Sequence, residues 1–166
     1  MGASNYDLTE EKCKHFVVEM LKAVNYIHER RIIHLDLKPQ NIMMKSRKDE
    51  FKIKLIDFGL AKRLDHGRVK TGFVGTVGFM APEIATSQYG GHSLDYATPA
   101  TDIFSLGVII YMLVSGGLEP FWDGNDVRAI KNTIRKEVSF QHREFNGVSS
   151  AAKDFIKSRF LCYIIF

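Results

Sequence analysis

Cys13, Phe16, Val17, Met20, Leu21, Val24 and Ile27 recur at three- and four-residue intervals, the period of one helix face. They predict a helix over "YDLTEEKCKHFVVEMLKAVNYIHER", capped either by a box of Asp7 with Glu10 or by Thr9. The period then shortens to two. Phe51, Ile53 and Leu55 alternate with Lys52 and Lys54 as a half-buried strand does, and "NIMMK" (41–45) is a second short apolar run. With the charged "SRKDE" as their connecting loop, the two runs predict a small hairpin. It is flanked by residues 34–41 on one side and 57–59 on the other.

From Leu60 to Gly91 no period is sustained and glycines recur at 67, 72, 75, 78, 90 and 91. A long loop region is expected there, and such loops in compact domains are usually functional or disordered. Helical patterning resumes at Asp102 and runs to about Ser115, apolar on nearly every side, as in a buried helix. Val127, Ile130 and Ile134 mark a later, half-exposed helix. Ala152, Phe155 and Ile156 mark a last one, starting near Ser149 or Ser150. The predicted class is mainly α with a small β hairpin, in one domain over residues 1–166.

Composition changes little in this picture. A net charge of +4 is spread over 23 basic and 19 acidic residues without long runs, and no aromatic platform accompanies basic clusters such as "KSRK". A nucleic-acid partner is therefore not expected. Cys13 and Cys162 are too few and too far apart for a disulfide framework and lack metal-type spacing. The first fifteen residues carry Asp7, Glu10 and Glu11 and no apolar core, unlike a secretory signal. The longest uncharged stretch, Ile103 to Leu118, falls short of the roughly 20 apolar residues that span a bilayer. A soluble cytoplasmic protein without a membrane partner is expected.

The candidate chemistry lies in "HLDLKPQN" (34–41) and in "DFG" (57–59), which begins sixteen residues after Asn41. Phosphoryl transfer needs an acceptor for the incoming hydroxyl proton, cations on the phosphates, and fixed geometry. Asp36 can take the proton, Lys38 can neutralise the γ-phosphate, and Asn41 can offer an oxygen to Mg²⁺, a hard ion that takes oxygen ligands. Asp57 is the second candidate metal ligand.

These two motifs, with "APE" (81–83) after them in order, resemble the large lobe of a eukaryotic protein kinase. The resemblance runs from the first helix to about Arg159. It implies that 34–41 is the catalytic loop and 57–83 the activation segment. It further implies Asp36 as catalytic base, Lys38 as γ-phosphate contact, Thr76 as the residue steadying both, and Asn41 and Asp57 as Mg²⁺ ligands. Lys38, Gln40, Asn41, Met43, Ile56 and Asp57 then face ATP, with Met43 and Ile56 flooring the adenine. Asp102 ties down the catalytic-loop backbone, and His34 and Phe58 belong to an internal hydrophobic spine. Lys38 and Thr76 are what serine/threonine kinases carry.

Within that family "YDLTE", "IIHLDLKPQNIM", "KLIDFGLAKRLD" and "KDFI" are similar to the calcium/calmodulin-dependent group, of myosin light-chain, titin-like and death-associated type. The likeness implies a protein substrate, and calmodulin as a partner through a segment not in this chain. Leu35 stands where protein kinases usually carry an arginine that this group often lacks, so a phosphate on the activation segment lacks its usual cation. Phosphorylation at Thr71 or Thr76 is therefore not expected to be the main on-switch.

The chain also departs from the pattern. It has no "GxGxxG"; Gly72, Gly75 and Gly78 follow "DFG", and "VRAIK" (127–131) lies after "APE" on a helical pattern, so neither stands in for the ATP-anchoring parts. The N-terminal lobe is thus expected to be absent from this chain. Val77 and Gly78 replace the usual proline and glutamate. In the family "KDFI" leads on to an arginine that pairs with the glutamate of "APE", here Glu83; this chain instead runs "KSRFLCYIIF", with Arg159 too early in the pattern. The C-terminal end is read as incomplete, and Phe160 to Phe166 as a core helix end or an exposed apolar tail. Two readings follow: the catalytic lobe of a serine/threonine kinase, with negligible activity as an isolated chain, or a non-catalytic truncated kinase that docks partners.

Overall fold

The computed structural model describes residues 9–46, 49–87 and 96–161. Helix α1 spans Glu10–Glu29, and its cap is Thr9, whose hydroxyl accepts the Lys12 N–H at 3.3 Å. The rival cap Asp7 lies outside the described residues. Cys13, Met20, Val24 and Ile27 are buried along the predicted face.

Among the described residues, six strands form three antiparallel two-stranded ladders. β1 (Ile32–Ile33) pairs with β4 (Lys62–Arg63), β2 (Ile42–Ser46) with β3 (Asp49–Leu55), and β5 (Val69–Lys70) with β6 (Tyr96–Ala97). The β2–β3 ladder is the predicted hairpin, in register Ile42 to Leu55 and Met44 to Ile53. Ile53 and Leu55 pack on the core while Lys52 and Lys54 face out; the Phe51 side chain lies outside the described residues. The predicted mainly α class with a small hairpin is thus found, with two further ladders of two-residue strands beside it. Two-residue strands carry no period, so tertiary pairing alone creates the other two. Helix α2 (Pro82–Thr86) likewise interrupts the predicted loop region.

The centre of the core is α3, Pro99–Ser115, with α1 and α5 (Ser150–Leu161) packed on it. It begins three residues before the predicted Asp102. Pro99, with its φ already helical, takes the first position, and the Thr98 N–H donates to Thr101 Oγ1 at 3.1 Å. Phe104 of α3 stacks on Phe121 (5.6 Å between centroids) and meets Phe160 of α5 edge-on (5.3 Å). Phe160 is therefore a core helix end, while 162–166 lie outside the described residues. Glu10 caps α5 from across the fold, accepting the Ser149 N–H at 2.9 Å and its hydroxyl at 2.7 Å. That pair of bonds holds the Glu10 carboxyl below its ordinary value.

The approach of α5 to α3 depends on Gly107. A Cβ there would lie 2.8 Å from Arg159 Cβ and 3.0 Å from Phe160 Cε1. Gly107→Val is expected to cost about 1–3 kcal/mol through overpacking, read as a lower melting temperature. An unchanged melting temperature would show that the helices give way freely. Helix α4 (Asp126–Arg135) is capped by Asn125 and carries "VRAIK", which is therefore helical rather than part of a strand. No described helix is long and apolar enough to cross a membrane.

Candidate active site

The site is built outward from the first turn of α3. Asp102, 1% exposed, accepts the His28 Nε2–H at 2.7 Å and the His34 N–H at 2.9 Å through Oδ2, and the Leu35 N–H at 3.0 Å through Oδ1. These bonds hold Leu35 in the left-handed region (φ 66°), where a side chain is unfavourable. The 34–36 turn therefore takes its shape from a carboxylate some seventy residues away in sequence. His28 was missed in the sequence reading. Its only signal was a histidine in the last turn of a helix, which also describes a surface residue.

One step further, Asp36 is almost fully buried and its carboxylate is held from three directions. Thr76 Oγ1–H donates to Oδ1 at 2.6 Å, while Lys38 Nζ (2.8 Å) and Asn41 Nδ2 (3.1 Å) donate to Oδ2. Asn41 Nδ2 also donates to the Asp36 carbonyl at 2.8 Å, and Lys38 Nζ donates to Thr76 Oγ1 at 2.9 Å. A carboxylate has about four lone-pair positions, so three bonds fix it and leave acceptor capacity for one more donor. Asp36, Lys38, Asn41 and Thr76 are thereby brought into one hydrogen-bonded group.

Asp57 reaches the same neighbourhood through its neighbours. The Ile56 N–H donates to the Asn41 carbonyl at 3.0 Å, and the Ile56 carbonyl accepts His34 Nε2–H at 3.0 Å. His34 Nδ1 accepts the Asp36 N–H at 3.3 Å, so the backbone partners fix its Nε2–H tautomer. His34 is fully buried and spends both nitrogens on backbone, a structural part. Phe58 lies against its ring at 4.9 Å between centroids. Asp57 itself is exposed at φ 59°, its Oδ1 accepting the Gly59 N–H at 3.2 Å. Met43 on β2 is 53% exposed, Gln40 in the turn before it is exposed, and Ile56 just after β3 is half-buried.

Asn41 and Asp57 are an oxygen donor set of the kind Mg²⁺ takes. With its Nδ2 committed to Asp36, Asn41 is left with Oδ1 as a ligand atom. Among the described residues there is no cluster of three or more His, Cys, Asp or Glu placed to hold a metal. Two protein oxygens fit Mg²⁺ nonetheless, because it usually keeps waters and phosphate oxygens as its other ligands.

Residues 71–83 close the site from the other side. Gly75 (φ 103°) passes so near the 34–41 loop that a Cβ would lie 2.7 Å from the Leu35 carbonyl oxygen, which sets Thr76 against Asp36. Thr71 is buried. Glu83, in α2, is 6% exposed; its Oε1 accepts Thr101 Oγ1–H at 2.7 Å, and its Oε2 has no partner among the described residues. Arg159 does not compensate it: its guanidinium bonds Ser158 Oγ and lies over the Phe155 ring.

Burial pushes the Glu83 carboxyl above its ordinary value, against the smaller lowering by the Thr101 hydroxyl and the Lys136 charge. Protonation of Glu83 thus favours the folded state. The gain is full below the unfolded carboxylate value and is lost as pH rises through the raised one. Glu83→Gln is expected to match the parent at low pH and to exceed it by about 1–3 kcal/mol at pH 8. Melting curves of the two proteins that stay parallel across that range would contradict this.

With the geometry in place, the comparisons with known proteins are direct. The sequence model of the protein kinase domain matches residues 3–162. Smooth muscle myosin light chain kinase of Gallus gallus is 42% identical over 93% of the chain, and death-associated protein kinase dapk-1 of Caenorhabditis elegans is 39% identical over 93%. Myosin light chain kinase family member 4 of Mus musculus is 39% identical over 92%. The chain spans only 8%, 10% and 37% of these three relatives, respectively. A buried loop carboxylate gripped by lysine, asparagine and a threonine forty residues downstream thus sits in a chain matched almost end to end by that family, and the chain belongs to the protein kinase domain family.

Proposed function

We propose that residues 1–166 form the large lobe of a serine/threonine protein kinase, with 34–41 as catalytic loop and 57–83 as activation segment. The observation that carries this reading is the Asp36–Lys38–Thr76–Asn41 group, which fixes one carboxylate while leaving it able to accept another proton. Asp36 accepts the proton of the substrate Ser or Thr hydroxyl as that oxygen attacks. Lys38 offers its charge to the transferred phosphoryl group, and Thr76 keeps the lysine and the base in register. Asn41 and Asp57 hold Mg²⁺, with Gln40, Met43 and Ile56 along the nucleotide. When bound, Mg-ATP supplies the phosphoryl group and the neutralisation of its own phosphate charge.

The kinship with myosin light-chain and death-associated kinases supports a cytoplasmic enzyme acting on protein substrates, with calmodulin engaging a segment outside this chain. The test is phosphate transfer from labelled Mg-ATP to Ser- and Thr-containing proteins by the full-length protein. Transfer is expected in the full-length protein, and negligible transfer in the 166-residue polypeptide. Turnover of the isolated polypeptide at the roughly 1–100 s⁻¹ usual for kinases would refute the second part.

A docking role for the 166-residue polypeptide is the second reading, favoured by the open Met43 and by Phe58, 44% exposed. The size of the native polypeptide discriminates: a band far above 18.9 kDa favours the enzyme, and one at that size favours the docking module. For regulation, buried Thr71 and the leucine at position 35 support activation without phosphorylation there. Thr71→Ala and Thr71→Glu are expected to leave full-length activity within about tenfold of the parent, since Leu35 stands where the usual cationic partner would. A larger change in either would make Thr71 a switch.

A further inference from the structure

Away from the site, six exposed cations gather on three neighbouring segments: Arg30 and Arg31, Lys62 and Arg63, and Arg68 and Lys70. The β1–β4 register sets Arg63 opposite Ile32, and the Leu64 N–H donates to the Arg31 carbonyl at 2.7 Å. Lys62 reaches from β4 to β5, its Nζ donating to the Lys70 carbonyl at 3.2 Å. None of the six forms a salt bridge among the described residues. Two carboxylates adjoin them in sequence. Glu29 accepts Asn25 Nδ2–H at 2.8 Å, and Asp65 lies 3.6 Å from His66 Nε2. Like charges brought together in this excess repel one another, and an anionic partner relieves that cost.

The patch lacks the parts by which nucleic acid or a membrane is held. Each ring beside it already carries an arginine: the Arg30 guanidinium lies 3.5 Å from the Tyr26 ring centre, and that of Arg68 lies 4.7 Å from Tyr96. Neither ring is a bare platform for a base. The strands β1, β4 and β5 are two residues long, too short to enter a groove as a ribbon. Within 62–70, Leu64 is buried and Val69 half-buried, so no large apolar side chain is presented to lipid. The cations are instead strung along paired strands, which lie about 4.8 Å apart. An extended chain with a carboxylate at every second residue repeats that charge roughly every 6.6 Å on one side, and so meets such an array at several points.

We infer that this patch docks an extended acidic segment of a partner protein, through several Asp or Glu side chains within about eight residues. Docking there uses none of Asp36, Lys38, Asn41 or Thr76, so it stands or falls separately from phosphate transfer. The contacts are exposed ion pairs, so raised salt weakens them.

The probe is a fluorescein-labelled alternating Glu-Ala peptide of about eight residues, with an uncharged Gln-Ala twin. Each is titrated with the 166-residue polypeptide and followed by fluorescence anisotropy. The acidic peptide is expected to bind saturably, and its twin about tenfold more weakly or less. Arg31→Gln combined with Arg63→Gln removes two charges from the patch and is expected to weaken binding about three- to tenfold. Lys131→Gln combined with Arg135→Gln removes two charges from exposed positions of α4, and is expected to stay within about twofold of the parent. Both double variants change exposed side chains, and their melting temperatures are expected to match the parent.

Equal binding of the two peptides, no binding of either, or equal losses in the two double variants would overturn the docking surface. Short DNA duplexes and phosphatidylserine vesicles test the other occupants. A larger effect of the Arg31 and Arg63 changes on either of them than on the peptide would also overturn it.

Discussion

Asp102→Ala is expected to remove about 3–6 kcal/mol of folding stability, a large part of the roughly 5–15 kcal/mol typical of a domain. The carboxylate lies in the first turn of the core helix and accepts three N–H groups, from the His28 ring, His34 and Leu35. Alanine leaves all three donors without an acceptor in the interior, and each orphaned donor costs about 1–3 kcal/mol. Leu35 also loses the bond that offsets its left-handed backbone. Urea unfolding checks this: the midpoint should fall with an unchanged slope, the mark of lost stability rather than altered compactness. Asp102→Asn retains one carbonyl oxygen and should fall between parent and alanine. A midpoint for Asp102→Ala within about 1 kcal/mol of the parent would mean that the loop is held by other bonds.

Asp36→Asn addresses the chemistry and is expected to lower turnover of the full-length protein by about 10²–10⁴-fold, the usual worth of a positioned base. The amide oxygen can still accept the Thr76 hydroxyl. The amide nitrogen, however, would face the donors Lys38 Nζ and Asn41 Nδ2, and the group cannot take up a proton at neutral pH. A loss confined to the reacting step lowers kcat and kcat/KM together, while binding of Mg-ADP measured by calorimetry stays near the parent. Turnover within threefold of the parent would remove Asp36 from the reaction. Loss of nucleotide affinity alone would reassign it to binding.

These two aspartates were legible to very different degrees. Asp36, Lys38, Asn41 and Asp57 declared themselves by spacing within short segments, because a loop of eight residues constrains its own geometry. Thr76 and Asp102 came only from the resemblance, since nothing local marks a threonine or a helix-start aspartate as a partner of a loop far upstream. His28 stayed hidden for the same reason.

Hydrophobic periodicity by itself determined α1, the β2–β3 hairpin and the buried character of α3, because each is long enough for burial on one face to repeat. It placed the α3 start three residues late, passing over the signal of Thr98 and Pro99. Only the tertiary structure decided the β1–β4 and β5–β6 ladders, the orphaned oxygen of Glu83, and the grip on Asp36. Each depends on groups distant in sequence meeting at hydrogen-bond range, and that distance is set by how α1, α3 and residues 57–83 pack, which no local pattern encodes.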